Sequence, residues 1–357
     1  GLINTSTPIN ASFAKQSPIK GDIAFLSQSG ALCTAILDWA EREKIGFSNL
    51  ISLGNMTDTD ETDFIELLAN DENTKAVLVY IEGIKDGKRF LEVAPKVSKI
   101  KPIIVFKAGA SAAGARAAAS HTGSIAGSMV AYREAFKRSG VLMVNSLEEL
   151  FNLGLTLASQ PTPEGRNVAI LTNAGGPSIV AADAVSKHDL NLAWLSPTTI
   201  EALRDKLPAE ASWINPVDVL GDALADRYGF ALETLLKDYS VDAVIVILTP
   251  QAMTQPAETA RSIAGAVRGE KPILACFMGG EDVMPGREEL VASNLPDYPS
   301  PERAVGALKA MCNYVAWRNR PPRIVTRFPV NRRRVERIIT RHIRSGQLQI
   351  GEAKAKE

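Results

Sequence analysis

Short apolar runs alternate with amphipathic stretches along most of the chain, beginning at Gly21. This alternation is typical of βαβ units, in which helices connect parallel strands. The run AVLVYI at residues 76–81 is continuous and rich in β-branched residues, as expected for a strand buried on both faces. In order, the pattern predicts strands at 23–26, 47–53, 76–81, 102–106 and 141–144, and helices at 31–44, 63–69, 87–99, 129–139 and 146–159. Residues 1–17 show no strand or helix period of their own.

The order of elements restarts after the turn-rich segment QPTPEG at residues 160–165. The strand and turn from Ile23 to Gly30 can be aligned with Val168 to Gly175, where the apolar pattern and the closing glycine coincide. Farther on, AVLV matches AVIV and KPII matches KPIL, after which the first copy carries an insertion that the second lacks. The sequence therefore predicts two similar α/β domains in tandem.

The insertion holds a loop of small residues, from Lys107 to Ser128, that contains one of only three histidines, His121. Nearly every residue of this loop is Ala, Gly or Ser, so it buries little apolar area and its glycines are conformationally free. A single imidazole on such a loop suggests a reactive group that must reach something. The alternative is a flexible surface linker with an incidental histidine. His188, at a predicted helix end, and His342, in a basic helix, are given structural roles.

Both repeats begin with a strand, a short polar turn with glycine, and a helix. Small residues at such a turn expose the first N–H groups of the helix, which together with the helix dipole bind anions, phosphate especially. Each turn alone is weak support, since most such turns bind nothing, but two in tandem beside a histidine are more specific. We expect the two helix starts to face each other and form a phosphate cradle in which the histidine is phosphorylated. The candidate phosphate-binding residues are Ser27, Ser29 and Gly30 in the first turn, and Asn173, Gly175 and Gly176 in the second.

A histidine that acts as a nucleophile on one ring nitrogen needs a carboxylate to fix the other. Glu82 is the best candidate, because it directly follows the buried strand AVLVYI, where a parallel sheet places functional groups. The alternative for Glu82 is an exposed loop carboxylate. Asp218, in NPVD, sits at another strand end and is a candidate for shaping the second phosphate site, with simple turn capping as its alternative.

The composition excludes several classes of function. A formal net charge of zero argues against a nucleic-acid binder, and no apolar run is long enough to span a bilayer. The cysteines at 33, 276 and 312 have neither metal-ligand spacing nor a disulfide framework, so the cytoplasm is the default compartment. No metal site is predicted. One stretch contains an acidic cluster made of Asp58, Asp60, Glu61 and Asp63. Such a cluster could bind Mg²⁺, but the pattern is more typical of a solvated loop that leads into a helix cap.

Five motifs in this order, LSQSGAL, YIEGIKDG, SHTGSIAGS, LTNAGGP and NPVDVLGD, resemble those of the NDP-forming acyl-CoA synthetases. These are the ADP-forming acetyl-CoA synthetase relatives of succinyl-CoA synthetase. The resemblance runs from Gly1 to about Arg320 and implies two tandem flavodoxin-like parallel-sheet domains followed by a linker helix. It implies that acyl-CoA and phosphate give an acyl phosphate, whose phosphoryl group passes to His121 and then to ADP. Glu82 would orient that histidine.

The resemblance also divides the chain into four parts. Residues 1–20 would be the remnant that follows a missing CoA-binding domain, and residues 21–160 and 161–320 would be the two α/β domains. Residues 321–357 would be a linker and a basic helix that lead to a missing ATP-grasp domain. We expect no cofactor within this fragment, which should be inactive alone. CoA, ATP or ADP and Mg²⁺ are expected for the full-length enzyme, with a small-molecule acid and phosphate as partners and a second copy of the chain as a candidate partner. Alternatives are the same domains in a protein lysine acetyltransferase, or a non-catalytic acyl-CoA or anion sensor.

Overall fold

The computed structural model describes residues 1–111, 113, 114, 116, 128–321, 331–347, 349–352 and 355. The chain divides into two compact units, Gly1–Asn319 and Arg320–Glu357. His121 lies outside the described residues, so its predicted role remains a prediction.

A seven-stranded sheet forms the core of the first half. Its strands are β1 Leu2–Asn4, β2 Ile9–Ala11, β3 Lys20–Ser27, β4 Phe47–Ser52, β5 Ala76–Ile81, β6 Ile103–Lys107 and β7 Leu142–Val144. The order is β2-β1-β4-β3-β5-β6-β7, and β3 to β7 run parallel. The parallel part has the flavodoxin-like order, in which the first strand lies between the second and the third. Ligands bind such sheets beyond the carboxyl ends of the strands, at the point where the strand order reverses. In this sheet the order reverses between the neighbouring strands β3 and β5.

Helices cover both faces of this sheet: α1 Gly30–Arg42, α2 Glu61–Leu68, α3 Gly87–Ser98, α4 Met129–Ser139 and α5 Leu147–Ser159. Successive residues of a strand point to opposite faces of the sheet, so the sheet has one apolar cluster on each face. Phe25 and Leu78 pack with α1 and α5 on one face. Leu26 and Val79 pack with α2, α3 and α4 on the other face. The predicted strands and helices of this half are therefore confirmed, with ends that differ by a few residues.

The prediction that residues 1–17 contain no strand is wrong. Strands β1 and β2 form an antiparallel hairpin whose first strand pairs with the edge strand β4, Leu2 lying opposite Ile51. Each strand has only three residues, and β2 is fully exposed, so no hydrophobic alternation marks them. The position of β1 depends on backbone pairing with β4, whose residues lie 45 to 49 positions away, and periodicity does not report such pairing.

The second half repeats the arrangement on a five-stranded sheet. Its strands are β8 Asn167–Thr172, β9 Asn191–Leu192, β10 Val217–Asp218, β11 Ala243–Leu248 and β12 Ile273–Phe277. The order is β10-β8-β11-β12, with β9 also paired to β8, so the reversal lies between β8 and β11. The helices are α6 Gly175–Lys187, α7 Pro197–Lys206, α8 Ala225–Lys237, α9 Pro256–Ala266, α10 Met284–Ala292 and α11 Pro301–Arg318, with a 3₁₀ turn at Glu281–Val283. The predicted fold class, two tandem parallel-sheet α/β domains, is confirmed.

Helix α11 joins the two halves within the first unit. The Tyr314 hydroxyl donates to the carbonyl of Ser98 at 2.9 Å, and the Trp317 indole N–H donates to the carbonyl of Arg138 at 3.2 Å. Residues of both halves, including Phe151 and Leu308, belong to one continuous apolar cluster. Both halves therefore share part of their core.

The second unit contains α12, Arg332–Arg344, which confirms the predicted basic helix. The Asn331 side chain caps it by accepting from the N–H of Arg334 at 3.1 Å. His342 is buried within this helix, with Nδ1 at 2.9 Å from the carbonyl of Ile338. None of the helices in the described ranges combines the length and apolar character that crossing a membrane requires.

Candidate functional site

The turns after β3 and β8 are built by the same hydrogen bonds. Ser27, fully buried at the end of β3, accepts from the N–H of Ser29 at 3.0 Å and donates to the Ser29 carbonyl at 2.9 Å. Thr172, at the end of β8, makes the equivalent pair of bonds to Ala174, both at 3.0 Å. In both cases the hydroxyl stabilises, by two hydrogen bonds, the turn that leads from the strand into the following helix. The structure thus places Ser27 behind the turn, as a support for it.

A glutamine that the sequence analysis did not single out fixes the strand end next to the first turn. The side-chain oxygen Oε1 of Gln28 accepts from the backbone N–H groups of Glu82 at 2.7 Å and Gly83 at 3.1 Å. The side-chain nitrogen Nε2 of Gln28 donates to the backbone carbonyl of Gly83 at 2.7 Å. The same amide nitrogen lies 3.3 Å from a carboxylate oxygen of Glu61. Gln28 therefore ties the end of β5, and with it Glu82, to the start of α1.

Asn173 does the same in the second half. The side-chain oxygen Oδ1 of Asn173 accepts from the backbone N–H of Thr249 at 2.9 Å and from the Thr249 hydroxyl at 3.1 Å. The side-chain nitrogen Nδ2 of Asn173 donates to the backbone carbonyl of Thr249 at 2.9 Å. Thr249 directly follows β11, as Glu82 follows β5. Asn173 is 2 % exposed. Asn173 therefore ties the end of β11 to the start of α6, and its predicted role as a phosphate contact remains a prediction.

The first residues of α1 and α6 lie open at these edges. Ser29 is the N-cap of α1 and accepts from the N–H of Leu32 at 3.3 Å, and the first intrahelical bond is made by the N–H of Cys33. Gly175 and Gly176 begin α6 behind Ala174, which provides no side-chain cap. Gly30, Gly175 and Gly176 are exposed. The free N–H groups of both helix starts are therefore available to an anion.

Two charged residues lie at the ends of neighbouring strands on the first edge. Glu82 is half-buried, and its predicted role in orienting the histidine remains a prediction. Lys107, the last residue of β6, is buried although it carries an ammonium group. Burial lowers the pKa of Lys107, and the Glu82 carboxylate acts in the opposite direction. The sequence analysis used Lys107 only as the start of the loop and missed its burial.

At the second edge, Asp218 ends β10 and its carboxylate accepts from the N–H of Leu220 at 2.9 Å. Turn capping, the alternative considered for this residue, is therefore present. Its other oxygen would lie 4.0 Å from a Cβ placed on Gly175, so the carboxylate also borders the start of α6. Burial raises the pKa of the Tyr228 hydroxyl well above its ordinary value, and the Asp218 carboxylate raises it further.

The acidic cluster near α2 is a capping structure. Asp60 is the N-cap and forms a capping box with Asp63, and Arg89 pairs with both carboxylates, at 3.7 Å from Asp60. The expectation of a solvated cluster is wrong for Glu61, which is 1 % exposed behind Gln28 and whose pKa burial raises. Within the part of the chain that the structure describes, no group of three or more His, Cys, Asp or Glu could hold a metal ion.

The structure thus brings together two groups of predicted residues, one at each sheet edge. Ser27, Ser29, Gly30 and Glu82 meet at the first edge, and Asn173, Gly175, Gly176 and Asp218 at the second. The predicted facing of the two helix starts remains a prediction. Gln28 could have been found from the repeat, which aligns it with Asn173.

The fold is that of an α/β protein with two parallel-sheet halves, each of which has an exposed helix start at the carboxyl edge of its sheet. Residues 20–157 match the succinyl-CoA ligase-like flavodoxin domain, and residues 168–320 match the ligase-CoA domain. The chain is 46% identical to subunit alpha of acetate–CoA ligase (ADP-forming) II of Pyrococcus furiosus, and the match covers 87% of this sequence and 69% of that one. It is 44% identical to acetate–CoA ligase (ADP-forming) I of Archaeoglobus fulgidus, where the match covers 98% of this sequence and 50% of the relative.

Among solved structures, the chain is similar to the dinucleotide-forming acetyl-coenzyme A synthetase 1 of Ca. Korarchaeum cryptofilum in complex with phosphate and ADP. The identity is 38%, the TM-score 0.85, and the match covers 89% of this sequence and 70% of that one. The chain belongs to the NDP-forming acyl-CoA synthetase family. It spans about half the length of the relative from Archaeoglobus fulgidus.

Proposed function

We propose that this chain is the part of an ADP-forming acyl-CoA synthetase that receives a phosphoryl group and passes it on. The reaction interconverts acid, CoA and ATP with acyl-CoA, ADP and phosphate, through an acyl phosphate and a phosphohistidine at His121. Relatives that are named ADP-forming acetate–CoA ligases support this reaction class.

The observation that carries the proposal is the position of Glu82. It follows β5 at the reversal point of the first sheet, its backbone is held by Gln28, and the open start of α1 lies next to it. A carboxylate that accepts from one imidazole nitrogen leaves the other free as a nucleophile. The helix start then stabilises the negative charge of the transferred phosphoryl group.

The second edge would provide a second phosphate site. Gly175 and Gly176 expose the N–H groups of α6, Asn173 fixes the strand end beside them, and Asp218 borders them. In this proposal His121 visits both edges.

The rest of the enzyme would come from other domains or subunits. We propose a CoA-binding domain and an ATP-grasp domain as partners, because the chain spans about half of the Archaeoglobus fulgidus relative and two Pyrococcus furiosus relatives are named alpha subunits. CoA, ATP or ADP, Mg²⁺, a small-molecule acid and phosphate would bind to the assembled enzyme, and a second copy of the chain is a further candidate partner. The cytoplasmic location stays a prediction.

Labelling of the full-length protein with [γ-³²P]ATP tests the proposal. We expect an acid-labile, base-stable label that disappears in His121→Asn and persists in His188→Asn, whose histidine caps the end of α6. Glu82→Gln should slow labelling without abolishing folding. Equal labelling of His121→Asn and the wild type would refute the phosphohistidine.

The same experiment separates the alternatives. Acetylation of protein lysines without a labelled histidine would indicate the acetyltransferase, and acyl-CoA binding without any label would indicate a sensor. Both outcomes would contradict the proposed reaction.

A further inference from the structure

A carboxyl group that the proposed reaction does not use lies buried behind the first edge. Glu61, the first residue of α2, is 1 % exposed, and burial raises the pKa of its carboxyl. Burying a carboxyl is costly unless hydrogen bonds compensate for it. Its Oε2 lies 3.3 Å from Nε2 of Gln28, while its Oε1 has no hydrogen-bond partner among the residues that the structure describes. The buried carboxyl is therefore directed at the Gln28 side chain.

The start of α2 gives Glu61 a defined position. The N-cap residue Asp60 forms a capping box with Asp63, and these two bonds fix the backbone of the first helical turn. Arg89 of α3 pairs with both carboxylates and ties this turn to the neighbouring helix. Glu61 thus reaches Gln28 from a first turn that is held on both sides.

The carboxyl completes the hydrogen bonds of Gln28. Its Oε1 accepts from two backbone N–H groups, those of Glu82 and Gly83, and one N–H of Nε2 donates to the Gly83 carbonyl. The second N–H of Nε2 has two acceptors at 3.3 Å, the Glu61 carboxyl and the sulfur of Met56, of which the thioether is the weaker. An ionised carboxylate only accepts hydrogen bonds, so it would repel the amide oxygen of an inverted Gln28. Glu61 therefore favours the orientation in which Gln28 holds the end of β5.

The second half provides an internal control. Helix α7 follows β9 as α2 follows β4, and the residue after its N-cap Ser196 is Pro197, which has no carboxyl. The side chain that holds the second strand end, Asn173, donates to the carbonyl of Thr249 and has no carboxyl partner among the described residues. The fold can thus hold a strand end without a buried carboxyl. The carboxyl occurs in the half whose strand end carries a glutamate.

We propose that Glu61 is a positioning residue, which orients the Gln28 amide and through it holds the backbone of Glu82 beside the open start of α1. The proposal rests on the proposed function, since Glu82 is assigned there to orienting His121. A buried carboxyl contributes little net stability, and an apolar side chain of similar size can replace it without loss. Its removal should therefore disturb the reaction more than the fold.

The first test observes the Gln28 amide itself by NMR. The protein is labelled with glutamine that carries ¹⁵N in its side chain, and the Gln28 signal is assigned by its loss in Gln28→Leu. In Glu61→Met this signal should shift, and its hydrogens should exchange with water about fivefold faster, because a hydrogen bond is lost. Glu66→Met is the matched control, since Glu66 lies on the same helix with an exposed carboxylate that pairs with Arg89. An unchanged Gln28 signal in Glu61→Met would overturn the inference.

The second test measures [γ-³²P]ATP labelling of the full-length protein. Glu61→Met should slow histidine labelling at least about tenfold, because a small misplacement of a catalytic group is costly. Glu61→Gln keeps an oxygen that can accept from Nε2 of Gln28, so it should restore most of the rate. Glu66→Met should label as the wild type does. Equal rates in Glu61→Met and the wild type, or an equally slow Glu61→Gln, would overturn the inference.

A double variant tests whether Glu61 acts through Gln28. If it does, Glu61→Met should add no further slowing once Gln28→Leu is present, whereas independent effects would multiply. Multiplying effects would overturn the inference.

Urea unfolding distinguishes positioning from a merely structural role. Glu61→Met should be at least as stable as the wild type, because it removes the cost of burying a carboxyl. Slower labelling together with a loss of stability would assign Glu61 to the fold and overturn the inference. If the wild type itself takes no label on histidine, the proposed function fails, and the NMR measurement alone decides whether Glu61 orients Gln28.

Discussion

Replacing Gln28 tests whether the strand end that carries Glu82 is held by a single side chain. Gln28→Leu keeps similar bulk but removes the partners of three backbone groups: the N–H groups of Glu82 and Gly83 and the carbonyl of Gly83. A net hydrogen bond contributes about 1 kcal/mol, and water can reach these half-buried groups, so we expect a loss of about 1–3 kcal/mol in the free energy of unfolding.

The effect on labelling should be larger than the effect on stability. A misplacement of about 1 Å in a catalytic group can cost about 100-fold in rate, and Gln28 holds the backbone at Glu82 directly. Urea unfolding of this protein and [γ-³²P]ATP labelling of the full-length protein measure the two effects. Gln16→Leu is the control, since Gln16 is exposed and bonds only to Glu41 among the described residues. If Gln28→Leu matches Gln16→Leu in both assays, the assigned role of Gln28 is refuted.

Two further predictions concern the stability of the first unit. Gly140→Ala should lower the free energy of unfolding by about 2–4 kcal/mol, because Gly140 has φ +73° and a Cβ there would lie 2.3 Å from the Trp317 ring. Gly87→Ala, where nothing lies within 4 Å, should be near neutral, and equal denaturation curves for the two variants would contradict this account. Burial raises the pKa of Asp297 to about 6, so its protonated form stabilises the folded chain below about pH 4, and this contribution is lost as the pH rises through about 6. Urea unfolding from pH 4 to pH 7 should show the wild type losing stability relative to Asp297→Asn, and parallel curves would disprove it.

The repeat and the strand-end positions of the candidate residues could be predicted because both depend on local patterns. A run such as AVLVYI reports burial on both faces, and the residue after a parallel strand must lie at the carboxyl edge of the sheet. Glu82 and the turn at Ser29 follow from these two rules alone. Asn173 lies at the carboxyl edge of its sheet for the same reason, and its side chain bonds to Thr249 there.

The partners of these residues depend on tertiary structure. Gln28 bonds to groups 54 and 55 residues away, and Asn173 to a residue 76 away, and no pattern within a window of sequence contains those pairs. The burial of Glu61 and Lys107 was missed because charged residues are mostly exposed, and only the packing of neighbouring elements overrides that tendency.

The sequence by itself determined two α/β halves, their strand ends and the polar turns that follow β3 and β8, since hydrophobic period and turn residues act over a few positions. Only the tertiary structure decided that the hairpin of β1 and β2 extends the first sheet, and that Gln28 and Asn173 each hold a neighbouring strand end. It also decided that Lys107, at the end of β6, is buried. Hydrogen bonds and packing between distant segments require the folded chain to bring them together.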